Sequence, residues 1–206
     1  MNLPNSLTVT RIFLVPLLVV VLLTKFEGRL ILGVPKEFVG AAIFGLASLT
    51  DWLDGYLARR RKQVTAFGQV IDPLADKLLI SAALISLVQL DLATAWMVAI
   101  FIGREFAVTG LRSLAYARGV VIPASPLGKI KMVAEVVAIL ALILSRTDAN
   151  GETNALYVLG QIALWVVVVA ALVSAADYFR RFNVVLNPRV ADITVARDQR
   201  SDRKVG

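Results

Sequence analysis

The chain has 206 residues, a net charge of +7 and a hydrophobic content of 58%, against about 45–50% for an ordinary soluble domain. It contains neither cysteine nor histidine, which excludes disulfides, thiol chemistry and the commonest zinc ligand and general base. Any acid–base or metal chemistry must therefore use carboxylates, lysines, hydroxyls or water.

Long segments with few or no charges recur along the chain. A bilayer core of about 30 Å is crossed by about 20 residues of helix, and backbone in lipid must satisfy its own hydrogen bonds, which favours helices. The first segment lacks the basic leader and the cleavage site of a signal peptide, so we expect it to be a span. We predict an all-α, polytopic membrane protein with six transmembrane helices, at about residues 7–25, 38–58, 71–90, 92–112, 129–146 and 155–178.

Lysine and arginine are distributed unevenly between the two ends of these segments. With the N-terminus inside, most of them lie at inner ends, and the outer ends hold only Lys25, Arg29, Lys36 and Arg146. This bias predicts that both termini of a multi-pass membrane protein are cytoplasmic. Because the charge follows segment ends and not a soluble face, we expect no nucleic-acid partner.

Composition along the chain indicates one membrane domain, residues 1–186, followed by a tail. The polar opening, Met1–Thr10, is compatible with a brief amphipathic helix at the membrane interface. Residues 118–128 contain two glycines and two prolines and are predicted to form a loop. Residues 187–206 are charged and poor in aromatic residues, so we predict a polar cytoplasmic tail with little fixed structure.

Four aspartates lie near the inner ends of the second and third predicted helices. Asp51 and Asp54 are three residues apart and Asp72 and Asp76 are four apart, so each pair shares a helix face. Four carboxylates in one apolar site would repel one another and need either protons or hard cations. Helix capping with salt bridges to nearby arginines explains one or two aspartates but not two facing pairs. We predict that they bind Mg²⁺ or Mn²⁺, with a proton relay as the alternative.

The residues between the two aspartate pairs indicate the chemical class of the ligand. Gly55, Ala58 and Gly68 are small, which lets a ligand approach the backbone closely, although helix packing in membranes uses the same residue types. Arg59 follows directly, and arginine is suited to phosphate. Metal ions, small residues and an arginine together suggest a nucleotide or a pyrophosphate.

These residues form a pattern, D-x2-D-G-x2-A-R-x8-G-x3-D-x3-D, that resembles the signature of the CDP-alcohol phosphotransferase family. All of its specified positions are matched, by Asp51, Asp54, Gly55, Ala58, Arg59, Gly68, Asp72 and Asp76. The resemblance implies six transmembrane helices, a homodimer, two metal ions and an active site facing the cytoplasm. It also implies transfer of a phosphatidyl-type group from a CDP-linked donor such as CDP-diacylglycerol to an alcohol, with release of CMP.

The resemblance also implies a role for each of these residues. Asp51, Asp54 and Asp72 would be metal ligands, and Asp76 would be both a ligand and the general base. The CMP portion of the donor would contact Gly55, Ala58, Arg59 and Gly68. Further donor contacts would come from Asn5, Thr8 and Arg11, which resemble the opening of the phosphatidylglycerophosphate synthase branch; a helix N-cap and an interfacial arginine are the alternative for these three.

Basic residues in the second half of the chain resemble the same branch and suit an acceptor that carries its own phosphate, glycerol 3-phosphate. They are Arg104, Arg112, Lys129 and Lys131, for which anchoring of span ends by snorkelling is the alternative. We expect Glu105, Glu135 and Asp177 to be ion-pair partners within the bundle. At positions 113, 132 and 135 the chain departs from that branch, so inositol phosphate, serine or phosphatidylglycerol stay open as acceptors. The alternative of a different class is a cation or proton transporter.

Overall fold

The computed structural model describes the backbone of residues 3–24, 30–31, 33–61, 66–117, 127–145 and 154–186. Within these ranges it describes the side chains of residues 9–24, 30–31, 33–50, 74–111, 113, 132–145 and 154–176.

Six helices make up almost all of the described chain, and each overlaps one of the predicted segments over most of its length. They are α1 (Leu3–Leu23), α2 (Lys36–Arg61), α3 (Ala66–Gln89), α4 (Ala95–Ala117), α5 (Leu127–Ser145) and α6 (Ala155–Leu186). The prediction of an all-α architecture with six helices is therefore confirmed for the described residues.

A short antiparallel hairpin between α1 and α2 was not predicted. Its strands are β1 (Leu30–Ile31) and β2 (Val34–Pro35), with Leu30 opposite Pro35 and Ile31 opposite Val34. Gly33 has a φ of 80°, in the left-handed region that glycine adopts without steric cost. Strands of two residues are too short to show an alternating pattern, which is why the sequence did not reveal them.

Three differences from the predicted organisation concern the polar opening, α6 and α5. The polar opening does not form a separate interfacial helix, because α1 begins at Leu3 and runs without interruption to Leu23. α6 continues eight residues beyond the predicted end to Leu186, where Pro188 soon follows and disfavours further helix. α5 begins at Leu127, inside the predicted loop, while residues 118–126 and the tail lie outside the described residues.

The buried core is shared by all six helices. α1 packs against α2 and α3, α5 against α2, α3 and α6, and α4 against α3 and α6. The helices meet around fully buried apolar side chains, among them Leu18, Phe44, Leu84, Phe101, Ile139 and Val168, one from each helix in chain order. This shared core fixes the position of α3, which carries Asp76, between α1, α4 and α5.

The outer surface of the bundle is also apolar. Large hydrophobic side chains are exposed on every helix, including Phe13, Leu46, Ile85, Phe106, Val133 and Val173. Extensive apolar surface of this kind marks contact with a membrane or another protein. Among the residues whose side chains are described, Ala155–Ala176 is the one helical stretch long and apolar enough to cross a bilayer. Val9–Leu23 and Met132–Ser145 are shorter apolar stretches.

Candidate active site

The four aspartates lie on two consecutive helices, near the point where the chain passes from one to the other. Asp51 and Asp54 are on α2, ten and seven residues before its last residue; Asp72 and Asp76 are on α3, six and ten residues after its first. At a rise of about 1.5 Å per residue, both pairs lie roughly 10–15 Å from the 62–65 connection. α2 and α3 also contact each other. The two pairs therefore lie at matching depth, and we call this region the acidic end.

Asp76 is the member of this group whose side chain the structure describes. It is partly buried, and its sequence neighbour Ala75 is fully buried in the core. The side chains of Asp51, Asp54 and Asp72 fall outside the described residues. Among the described side chains, no three acidic residues lie together as a metal site would require. The metal site thus stays a prediction, supported by the positions of the four residues along α2 and α3.

The residues predicted to contact the CMP portion lie on the same two helices. Gly55, Ala58 and Arg59 are in the last two turns of α2, and Gly68 is in the first turn of α3. They therefore lie between the aspartate pairs and the 62–65 connection. This arrangement lets one elongated ligand reach both groups from the same end of the bundle.

α1 packs against both helices of the acidic end and carries the other predicted donor contacts. Since α1 begins at Leu3, Asn5 and Thr8 lie inside the helix and not at its N-cap. The side chain of Arg11 is only 2% exposed, so it is not an arginine at the surface of a membrane interface. The two alternatives considered for these residues are therefore wrong, and their role in donor binding stays a prediction.

Arg104 lies in the middle of α4 with a side chain that is 12% exposed. Its Nη1 forms an ion pair with the carboxylate of Glu105, which confirms the expected role of Glu105. Its Nη2 donates a hydrogen bond of 2.6 Å to Oγ of Ser174 on α6. The side chain is thus bound sideways within the bundle, whereas a snorkelling arginine would extend towards a helix end.

The other predicted acceptor residues are on helices, but their side chains lie outside the described residues. Arg112 is near the C-terminal end of α4, and Lys129 and Lys131 are in the first turns of α5. Of the remaining predicted ion-pair partners, Glu135 is buried on α5, and Asp177 lies on α6 with its side chain not described.

Two features near Arg104 were not predicted from the sequence. Ser174 stands alone among apolar residues, and a hydroxyl in such a helix ordinarily bonds to its own backbone, so nothing marked it as a partner of Arg104. A cavity of about 320 Å³ also lies between α4 and α6, and apart from Arg104 its lining is apolar: Ala99, Ile100, Gly103, Ala107, Val108, Leu111, Leu172 and Ala175.

Comparison with known proteins relates this arrangement to one family. The model of the family described as CDP-alcohol phosphatidyltransferase matches residues 1–175. The match spans α1 to α5 and most of α6, and therefore covers all the predicted site residues.

Curated relatives are similar along nearly their whole length. A CDP-diacylglycerol–glycerol-3-phosphate 3-phosphatidyltransferase of Bacillus subtilis is 48% identical over 87% of this chain and 94% of the relative. A protein of the same name from Rickettsia typhi is 36% identical over 87% of this chain and 96% of its own. A probable phosphatidylglycerophosphate synthase of Mycobacterium tuberculosis is 37% identical over 87% of this chain and 81% of its own.

Proposed function

The chain belongs to the CDP-alcohol phosphatidyltransferase family, and from this we propose that it transfers the phosphatidyl group of CDP-diacylglycerol to glycerol 3-phosphate, giving phosphatidylglycerophosphate and CMP. The observation that carries the proposal is the complete family signature at matching depth on α2 and α3. The acceptor is supported by the relatives, since those compared above are named for this reaction or its product.

The reaction exchanges one phosphorus–oxygen bond for another. The primary hydroxyl oxygen of glycerol 3-phosphate attacks the β-phosphorus of the donor, and the bond from that phosphorus to CMP breaks. Asp76 takes the proton of the attacking hydroxyl as general base. Its partial burial supports this role. The packing of Ala75 in the core fixes the backbone beside Asp76, while the carboxylate stays partly exposed and can contact a substrate.

The same four aspartates are proposed to hold two divalent ions, Mg²⁺ or Mn²⁺. Carboxylate oxygens are the ligands that such hard cations prefer, and Asp51, Asp54, Asp72 and Asp76 lie at equivalent distances from the 62–65 connection. When bound, the ions would neutralise charge on the pyrophosphate and on the departing CMP.

The donor is bound by the small residues and the arginine between the aspartate pairs. Gly55, Ala58 and Gly68 let the CMP portion approach the helix backbones, and Arg59 contacts its phosphate. The helix α1, which packs against α2 and α3, adds polar contacts to the donor through Asn5, Thr8 and Arg11. The acyl chains of the donor extend towards the apolar exterior of the bundle, where exposed hydrophobic side chains contact lipid.

Glycerol 3-phosphate is a dianion that must enter a site rich in carboxylates, and it needs cations of its own. We assign this role to Arg104, Arg112, Lys129 and Lys131, because guanidinium and ammonium groups are strong donors to phosphate. Arg104 supports the assignment, since the bundle holds its guanidinium in place.

In the membrane, the six helices are proposed to be six spans of one domain, residues 1–186, with both termini and the acidic end on the cytoplasmic side. The uneven distribution of lysine and arginine supports this orientation, and the apolar exterior of every helix supports the spans. Residues 187–206 form a polar cytoplasmic tail, and the protein works as a homodimer.

The test measures CMP release by purified full-length protein in detergent micelles that contain CDP-diacylglycerol. Glycerol 3-phosphate is compared with inositol phosphate, serine and phosphatidylglycerol at equal concentration, and the lipid product is identified by mass spectrometry. We expect turnover with glycerol 3-phosphate, its loss with EDTA, and its recovery when Mg²⁺ or Mn²⁺ is added in excess. Preferred use of another acceptor would contradict the assigned alcohol.

A transporter would behave differently in the same preparation. It would release no CMP with any acceptor, and it would move cations or protons in proteoliposomes. That combination would contradict the proposed reaction, whereas CMP release unaffected by EDTA would contradict only the two metal ions.

A further inference from the structure

α6 lies beside the 92–104 segment in a fixed register. Three of the contacts between them join partners that are 69 or 70 positions apart in the sequence. They are the 2.7 Å hydrogen bond from Gln161 Nε2 to the carbonyl of Leu92, the edge-to-face contact of Trp96 and Trp165 at 5.7 Å, and the bond from Arg104 to Ser174. A constant offset means that α4 and α6 run in the same direction, so Ser174 faces Arg104 as part of a regular helix pair.

The guanidinium of Arg104 is held from two sides by groups of different charge. Glu105 on the same helix carries a negative charge, and Ser174 on α6 is neutral. An arginine offers five N–H donors, and in the described part of the chain these two contacts engage one at Nη1 and one at Nη2. The Nε of the same group is buried and has no hydrogen-bond partner among the described residues.

There is room for a ligand beside this group. The cavity between α4 and α6 borders Arg104, and a Cβ added at the preceding residue, Gly103, would meet no atom within 4 Å. Close packing therefore does not explain why Arg104 is fixed at this place. A neutral hydroxyl partner fixes the orientation of the guanidinium without neutralising its charge. A second carboxylate in its place would neutralise that charge.

We propose that Ser174 is a positioning residue that holds the Arg104 guanidinium ready for the phosphate of the acceptor alcohol. This inference rests on the proposed role of Arg104 in acceptor binding. Without the Ser174 hydroxyl, the long side chain regains rotamer freedom that phosphate binding must then remove. Glu105 becomes the remaining partner and draws the cation into an ion pair on its own helix.

The first experiment compares Ser174→Ala and Ser174→Thr in steady-state CMP-release assays, with glycerol 3-phosphate varied at saturating CDP-diacylglycerol. For Ser174→Ala we expect the KM for glycerol 3-phosphate to rise about 10-fold, as for loss of one hydrogen bond to a charged group, with kcat within about twofold because binding alone is weakened. The KM for CDP-diacylglycerol stays unchanged. Ser174→Thr keeps the hydroxyl and restores the KM. An unchanged KM in Ser174→Ala would overturn the proposal.

Gln161→Met is the matched control. It removes another side-chain hydrogen bond of α6, to the carbonyl of Leu92 in the turn before α4, at a site 12 residues before Arg104 in the sequence. We expect its KM for glycerol 3-phosphate to equal that of the parent protein. If it rises as much as in Ser174→Ala, the effect comes from looser packing of α4 and α6 and the positioning role is wrong. Ser174→Ala itself is expected to fold, since alanine favours helix more than serine.

Arg104→Ala and the double variant Arg104→Ala/Ser174→Ala separate this inference from the proposed function. We expect Arg104→Ala to raise the KM for glycerol 3-phosphate, and the second substitution to add nothing, because residues that act through one another are not additive. If Arg104→Ala leaves that KM unchanged, the acceptor role of Arg104 is wrong. If Arg104→Ala raises it and Ser174→Ala does not, only the role of Ser174 is wrong.

Discussion

The acidic end and the opposite end of the bundle both place polar groups in apolar surroundings, but they use them differently. At the opposite end, the buried ammonium of Lys36 donates to the carbonyls of Leu22 at 3.0 Å and Thr24 at 2.9 Å. The first residue of α2 thus caps the C-terminal end of α1, where a cation is favoured by unsatisfied carbonyls and by the helix dipole. Glu37 is buried beside it in the first turn of α2, where the dipole favours a negative charge. We call this pair of residues the Lys36 corner.

The comparison shows that the partners of a buried cation indicate its task. Lys36 is bound by backbone carbonyls whose positions the helices fix, so its contacts stabilise the fold. Arg104 is bound by two side chains, one of them neutral, and its Nε has no hydrogen-bond partner among the described residues. Substitutions at Arg104 and at the acidic end should therefore change catalysis and leave stability unchanged, and substitutions at the Lys36 corner should do the reverse.

The largest effect is expected for Asp76→Asn, which keeps the shape of the side chain and removes the base. We expect turnover to fall by about 10³-fold, within the range for loss of a general base, with an unchanged melting temperature. Asp91→Asn is the matched control, because Asp91 is an exposed carboxylate on the turn after α3 and its positive φ of 59° is tolerated by asparagine. The control should keep normal turnover. Near-normal turnover in Asp76→Asn would show that Asp76 is not the general base.

The helices and the position of the acidic end could be predicted from the sequence, because they follow from local patterns along the chain. Segments with few or no charges predicted all six helices. The aspartates occur at the inner ends of two of these segments, which predicted their place near the ends of α2 and α3. An ion pair of Glu105 within the bundle was also predicted, although its partner, Arg104, was not.

The remaining features depend on contacts between residues far apart in the chain. Lys36 was recognised as one charge at an outer end, but its partners lie 12 and 14 residues earlier. Ser174 is 70 residues from Arg104, and no local pattern connects a serine in one helix with an arginine in another. The burial of Arg11 is of the same kind, because it depends on how α2 and α3 pack around α1.

Arg104→Lys tests whether the shape of the cation matters as well as its charge. A lysine keeps the positive charge but loses the planar fork that contacts a side-chain partner and a phosphate at the same time. We expect the KM for glycerol 3-phosphate to rise about 10-fold, from loss of a charge-assisted hydrogen bond, while the melting temperature and the KM for CDP-diacylglycerol stay constant. An unchanged acceptor KM together with a lower melting temperature would place Arg104 with Lys36 as a structural cation.

Lys36→Met makes the corresponding change at the Lys36 corner. It keeps an unbranched apolar side chain and leaves the carbonyls of Leu22 and Thr24 without these two hydrogen bonds, which should cost about 1–3 kcal/mol of unfolding free energy. Thermal unfolding in detergent should show a lower melting temperature, while kcat and both KM values measured at low temperature stay within about twofold. Lys36→Arg, which keeps a cation and its donors, should lose less stability. A changed KM in Lys36→Met without a loss of stability would contradict the division between the two ends.

The smallest effect is expected at Gly33, in the hairpin that leads into the Lys36 corner. An alanine Cβ at this position would meet no other atom within 4 Å, so its cost comes only from the backbone φ of 80° and amounts to about 1 kcal/mol. Gly33→Ala should therefore lower the melting temperature by about 2–4 °C, and Gly33→Asn by less, because asparagine adopts this conformation more readily. Turnover should equal that of the parent protein in both variants. A Cβ at this position would clash with no other residue, so a loss of turnover in Gly33→Ala could not come from a steric effect on the packing. Such a loss with an unchanged melting temperature would mean that this end of the bundle also contributes to the reaction.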